Sequence, residues 1–278
     1  MIDNQVKVVL EKPYSPWSLW FVGDAHFGCA AFDRDAFLRT VKAIQDEKDA
    51  RWLGMGDLGN YIDFRDNRFN PEAADPRDKV KELFRLANKH TDEIFGALAP
   101  IADKCLGIHQ GNHEWSFEER HYYNGAKVLA DRLGVKYLGY EALTRVYVHS
   151  LNGHQEYTIA IYSHHGFGSG RKGGSHINNL VDLVAECEAD IYCMGHNHQL
   201  QARKKPRYRI SGRGNIVQQN LVFVNSGTYQ RSHILGIDGY EVRKGLPLTA
   251  VGSARIIVKM VYQNRRRNLK ALDYEVVI

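Results

Sequence analysis

Five short clusters of carboxylate, imidazole and amide side chains punctuate this 278-residue chain. They are Asp24 and His26 in Gly-Asp-Ala-His, Asp57 in Gly-Asp-Leu-Gly-Asn, Asn112 and His113 in Gly-Asn-His-Glu, the pair His164 and His165, and His196 and His198 in Gly-His-Asn-His. These donors suit Mn, Fe, Zn, Co or Ni, and no thiolate accompanies them. In extended chain, side chains at i and i+2 share a face. Asp24 with His26, and His196 with His198, are therefore each expected to grip an ion with two teeth. Asp57 has two oxygens and can bridge two ions about 3.5–4 Å apart. Gly23, Gly56, Gly111 and Gly195 let the backbone turn sharply at each cluster. Among the other histidines, His90, His109, His149, His154 and His233 read as structural or solvated.

Something must bring clusters so distant in sequence together. Each follows a short apolar run that reads as a strand: Trp17–Val22, residues 51–55, 104–108 and 156–163, and Ile191–Met194. Asp33 is expected to N-cap a helix carrying Phe37, Val41 and Ile44 on one face. Asp75-Pro76 is expected to open a second helix, with Val80, Leu83, Phe84, Ala87, Thr91, Ile94, Phe95 and Leu98 at helical spacing and Pro100 closing it. Further helices are predicted over residues 117–133 and 178–188. Residues 145–149 and 156–163 alternate about Asn152-Gly153, a hairpin turn signal. Beyond residue 200 the chain reads as strand and turn, with 221–224 and 254–261 the clearest strands. The order predicts a layered α/β fold, two stacked sheets with helices outside and a β-rich C-terminal part. Ligands of such sheets gather beyond the carboxyl ends of the strands, where all five clusters lie.

Hydrophobic residues make up 44% and charged residues 25%, a globular balance that excludes a disordered or fibrous chain. No apolar run approaches the roughly 18 residues of a membrane span. Asp3, Lys7, Glu11 and Lys12 interrupt any secretory leader, and the four cysteines form no CxxC pair, so a cytoplasmic location and no membrane partner are expected. The net charge is +5, but its distribution says more. No acidic residue lies between Asp190 and Asp238, a stretch holding Arg203, Lys204, Lys205, Arg207, Arg209, Arg213 and Arg231, and a second basic cluster spans 265–267. Such regions attract anions, phosphates included. The glycine-rich loop 166–174, with Arg171 and Lys172, is either a phosphate cradle or a surface loop. Trp115, Phe117, Tyr122 and Tyr123 either wall a cleft or pack a helix.

Taken in order, the five motifs resemble those of the calcineurin-like metallophosphoesterases, and Asn225-Ser226-Gly227 resembles that family's closing turn. No motif can be placed beyond about residue 230. The resemblance implies a four-layer α/β/β/α sandwich of two mixed sheets flanked by helices, forming one domain over residues 1–278. It implies two divalent metal ions, Mn2+ foremost, with Fe, Zn, Co or Ni as alternatives. Asp24, His26, Asp57 and His198 would hold the first ion. Asp57, Asn112, His164 and His196 would hold the second, with His164 preferred to its neighbour His165. His113 would donate to the phosphoryl or leaving oxygen, and Glu114 would orient that loop. Metal-bound hydroxide would then hydrolyse a phosphate ester. The basic stretch favours a phosphodiesterase or nuclease acting on nucleotides or nucleic acid over a phosphomonoesterase or protein phosphatase. Substrate-binding residues and oligomeric state stay unassigned. The second motif departs from the family in having Asn60 where an aspartate usually orients the catalytic histidine, and Asp63 is the candidate substitute.

Overall fold

In the computed structural model of the chain, which describes residues 1–63, 66, 68–69, 85–168, 172–211, 214–233, 245, 247–264 and 269–278, the apolar run ahead of each polar cluster is a strand. The described elements are β1 (Ile2–Leu10), β2 (Trp17–Val22), α1 (Arg34–Asp46), β3 (Arg51–Gly54), α2 (Leu86–Leu98), β4 (Cys105–Ile108), α3 (Asn112–His121), α4 (Gly125–Leu133), β5 (Glu141–Ser150), β6 (Gln155–His164), α5 (Gly173–Asp182), β7 (Ile191–Met194), β8 (Leu200–Ile210), β9 (Ile216–Thr228), β10 (Gly252–Ser253), β11 (Arg255–Asn264) and β12 (Leu269–Val277).

The strands form two mixed sheets. One has the order β1-β5-β6-β7-β9-β10, with β8 also paired to β9, and the other runs β12-β11-β2-β3-β4. Within the first, β6, β7 and β9 are mutually parallel, and within the second, β2, β3 and β4 are. Each sheet thus sends three carboxyl ends toward the same edge of the molecule. Leu19, Phe21, Leu53 and Met55 of one sheet pack against Val146, Ile161, Ile191 and Val224 of the other in a fully buried layer. Each such side chain contributes roughly 1.5–3 kcal/mol, so this layer can hold strained backbone at its rim. Phe37, Val41 and Ile44 of α1, with Ile94 of α2 and Leu129 of α4, cover the outer face of the β2-β3-β4 sheet. Leu180 of α5 and Leu183 cover the outer face of the other against Tyr162, Tyr192 and Phe223. Helix, sheet, sheet, helix is the predicted order of layers.

Local signals account for much of this. Asp33 accepts a bond from the Ala36 N–H at 3.0 Å and caps α1 as expected. Asn152-Gly153 turns the β5–β6 hairpin, with Gly153 at φ 86°. Three expectations need correction. Residues 117–133 are not one helix: α3 stops at Tyr122, in the left-handed region at φ 55°, and Asn124 restarts the chain by capping Lys127 N at 2.8 Å. The helix expected at 178–188 instead begins at Gly173 and gives way to a 3-10 turn over Leu183–Ala185. Asn225-Ser226-Gly227 lies in the end of β9 and is not a free turn. The β-rich C-terminal part joins both sheets, since β11 crosses to pair with β2. β1, which joins β5 in parallel, was not foreseen. The Asp75-Pro76 cap, Val80, Leu83, Phe84, Arg171, Arg213 and the 265–267 cluster lie outside the described residues.

Candidate metal centre

The loops after β2, β3, β4, β6 and β7 meet at the shared edge. Asp24 N donates to Gly56 O at 2.9 Å, and His26 N to Asp57 O at 3.1 Å, which ties the first loop to the second. Asp24, His26, Asp57, His196 and His198 all adopt left-handed backbone, with φ between 47° and 68°. Only seven non-glycine residues do so among the described ones, and five of them are predicted ligands. Each costs on the order of 1–3 kcal/mol and persists only where its surroundings dictate it, a pattern that marks functional sites. The side chains therefore do not converge by strand alternation, as expected from extended chain. Left-handed turns aim them.

The ligand atoms fall into three overlapping groups, each within 4.8 Å: Asp24 with His26 and His198; Asp57 with His165 and His196; and His26 with Asp57 and His113. His196 and His198 are thus divided between two groups, and the two-toothed grip expected of that pair is not what the geometry offers. Asn112 joins the second group, its Oδ1 lying 2.7 Å from His196 Nδ1 and 3.3 Å from His165 Nε2. His165 Nε2 is 3.4 Å from Asp57 Oδ2, and His198 Nε2 is 3.6 Å from Asp24 Oδ1 and 3.0 Å from His26 Nε2. His164 is the predicted residue that stands apart. Its Nδ1 accepts the Gly166 N–H at 2.8 Å and its ring meets Tyr140 and Phe167. At the end of β6, alternation turns the second histidine inward and the first away, so His165 takes the place expected of His164.

The donor set fits a divalent cation. His165 Nδ1–H donates to the Met55 carbonyl at 2.8 Å, which presents the Nε2 lone pair to the site. With its oxygen inward, Asn112 brings a fourth acceptor against His165 Nε2, His196 Nδ1 and Asp57 Oδ2, once the His165 Nε2 proton is displaced. A cation satisfies all four. Turned over, the amide donates to those three atoms and its oxygen accepts from Arg68 Nη1 at 3.1 Å. His26 Nδ1 is likewise buried and, among the described residues, without a hydrogen-bond partner.

Electrostatics prepare the same chemistry. Burial, reinforced by His113 and His198, lowers the His26 pKa well below its usual value, and burial brings His196 and His198 down to about 4. These imidazoles are neutral at pH 7, with lone pairs available. Burial disfavours charge on His165 too, but Asp57 and Asp24 outweigh it and raise its pKa to about 9. A cation would replace that proton. Burial also favours the neutral acid at Asp57, yet the His165 and His113 imidazoles hold its carboxyl well below the usual range. Asp24, buried and beside Asp57, is pushed up.

A second layer fixes these groups. The Glu114 carboxylate accepts from Asp57 N at 3.0 Å, Gly59 N at 3.2 Å and Gly111 N at 2.9 Å, clipping the β3 and β4 loops together. A Cβ on Gly111 would lie 2.1 Å from Asp57 Oδ1, so only hydrogen fits. His113 N donates to Asp57 Oδ1 at 2.8 Å, and its Nδ1–H donates to the main-chain oxygen of Asn60 at 2.6 Å. The Asn60 carbonyl, not its side chain, does what an orienting carboxylate would do. Asp63 pairs with His121 instead. Thr228 Oγ1 and Tyr229 N both donate to the Asp24 carbonyl, at 2.8 and 3.0 Å.

Around the rim, Trp115, 46% exposed, meets Tyr140 edge-on at 5.8 Å, and Tyr140 leads on to His164 and Phe167. Phe117 and Tyr123 instead pack with Tyr61 inside, and Tyr122 points into solvent. On β8, Arg203, Lys205 and Arg209 are exposed on one face, while Lys204 pairs with Asp273 at 2.9 Å and Arg207 with Glu188 at 3.2 Å.

No family model matches the chain, and no curated protein sequence does. Solved structures do. A Vps29 complexed with zinc from Entamoeba histolytica matches at 12% identity over 94% of this chain and 98% of its own, with a TM-score of 0.41. The NAD nucleotidase of Haemophilus influenzae matches at 10% over 93% of this chain and 49% of its own, TM-score 0.39. A metallophosphoesterase from Sphaerobacter thermophilus matches at 11% over 94% and 88%, TM-score 0.35. In motif order and layered architecture the chain resembles the calcineurin-like metallophosphoesterases.

Proposed function

We propose that the protein is a binuclear metal-dependent phosphoesterase, acting as a phosphodiesterase or nuclease on nucleotides or nucleic acid. The observation that carries this reading is Asp57, which belongs to two donor groups at once, one with His165 and His196 and one with His26 and His113. Asp24, His26, Asp57 and His198 would hold one ion, and Asp57, Asn112, His165 and His196 the other. When bound, two such ions supply an acidified water and positive charge for the phosphoryl oxygens. The chain's own residues do the rest. Glu114 and Gly111 hold Asp57 between the groups. His113, with Nδ1–H on Asn60 O, turns Nε2 toward the site, where it donates to the phosphoryl or leaving oxygen only as the imidazolium, a form that burial disfavours and Asp57 favours. The diester preference is supported by the exposed cations of β8, and a planar base by the exposed Trp115 and Phe167.

Chelation is expected to abolish hydrolysis of bis-p-nitrophenyl phosphate and added Mn2+ to restore it. Activity indifferent to both sinks the reading. Faster turnover of p-nitrophenyl phosphate than of the diester would assign a phosphomonoesterase. Single-stranded and duplex DNA test the nuclease claim.

A further inference from the structure

We propose that His164, which stands apart from the metal ligands, is a base-binding residue whose Nε2–H donates to an acceptor on the edge of a substrate nucleobase; this rests on the phosphoesterase reading above. Its tautomer follows from one bond. The Gly166 N–H donates to His164 Nδ1 at 2.8 Å, so that nitrogen carries no proton, the ring is neutral and the proton sits on Nε2. None of the described residues accepts that proton. The ring is also held in place from the metal side. Gly166, at φ 133°, lies so close to the next loop that a Cβ there would be 2.6 Å from both Gly195 O and His196 Cβ. His164 is therefore fixed relative to the ligands His165 and His196.

Flat aromatic surface surrounds this donor. Phe167 meets the His164 ring edge-on at 5.4 Å, Tyr140 meets it at 6.0 Å, and Trp115 meets Tyr140 at 5.8 Å. Tyr140 also meets the ring of His165 at 5.6 Å, so the row starts at the metal centre and ends in Trp115 and Phe167, which are 46% and 43% exposed. A second phosphate would call for a cation here, and these four side chains carry none. A plain phenyl or alkyl group would cover the His164 proton without accepting it. A nucleobase meets both demands, since its face stacks on aromatic rings and its edge carries carbonyl and ring-nitrogen acceptors. The purely architectural alternative is that His164 only packs between Tyr140 and Phe167. Packing, however, does not require an imidazole with one tautomer fixed by a main-chain donor.

The test compares two substrates of the Mn2+-loaded full chain: p-nitrophenyl thymidine 5′-phosphate and the matching ester of abasic dideoxyribose, which lacks only the base. Wild type should favour the nucleoside ester in kcat/KM, chiefly through KM. His164→Phe keeps a ring and removes the donor, and should reduce that preference about twofold to tenfold or more, the scale of one hydrogen bond. Trp115→Ala should reduce it about fivefold to a hundredfold, the scale of stacking one base. The difluorotoluene analogue of thymidine keeps the shape and loses the carbonyl acceptors. On wild type it should show the same loss as His164→Phe, and the two losses should not add. Equal turnover of the two esters by wild type overturns the proposal, as does a preference reduced less than twofold in His164→Phe. Should that variant not fold, the analogue decides, and its full acceptance by wild type overturns the proposal. Hydrolysis of neither ester, with or without Mn2+, refutes the phosphoesterase reading instead. Calorimetric binding of thymidine 5′-monophosphate against deoxyribose 5-phosphate then decides base recognition, and equal affinities overturn it.

Discussion

His113 places its Nδ1 proton on a main-chain oxygen, and that choice of acceptor predicts an asymmetry between neighbours. His113→Gln should lower kcat for bis-p-nitrophenyl phosphate by about 10²–10⁴, the usual worth of a positioned proton donor. Asn60→Ala, which keeps the carbonyl, should stay within about threefold of wild type in the same assay. A large loss in Asn60→Ala would show that its side chain matters after all. Gly111→Ala forces a methyl against Asp57 Oδ1 and, at 2.4 Å, its main-chain N. Neither can give way cheaply, so a loss of about 1–3 kcal/mol in denaturant unfolding is expected, together with weakened metal binding. At this scale the donor types were legible because chemistry restricts them. The choice between His164 and His165 was not. It follows from the pairing of His164 with Glu141 across β6 and β5, a register that the local sequence does not encode.

Among the elements, α3 does more than pack. Its first turn carries Glu114, whose carboxylate serves three loop N–H groups. Glu114→Ala leaves three buried donors unsatisfied, at roughly 1–3 kcal/mol each before relaxation. A fall of about 3 kcal/mol or more in unfolding free energy is expected from urea titration; a change under about 1 kcal/mol would remove Glu114 from this role. For β8, substituting Arg203, Lys205 and Arg209 by Gln should flatten the salt dependence of single-stranded DNA binding by about two in slope, since each phosphate contact contributes about 0.7. Small-diester turnover should not change. If it falls equally, the face is not a substrate rim. Short apolar strands were legible from their runs, but β1 was not, because its partner β5 begins at Glu141, far along the chain. The break between α3 and α4 was hidden by an apolar pattern that runs through Tyr122.

For the molecule as a whole, His109 sets an acid limit. It is fully buried, donating Nδ1–H to Gly139 O at 2.9 Å and facing Ser163 Oγ at 2.7 Å through Nε2. Burial brings its pKa down to about 3, against an ordinary 6.5. Unfolding therefore takes up a proton between those values, so this contribution is complete above about pH 6.5 and lost as pH falls toward 3, at up to 1.36 kcal/mol per pH unit. Urea midpoints at pH 7, 5 and 4 should fall more steeply for wild type than for His109→Gln. The layered architecture was legible because alternating strands and helices admit few arrangements, whereas the return of β11 to the first strands was not. That return has company. Thr228 closes on the Asp24 carbonyl across 204 residues. A nascent chain leaving the ribosome therefore displays its earliest donors long before the residues that brace them exist. Such distant closure is slow, so the brace on the Asp24 loop is completed only after residue 228 has been made.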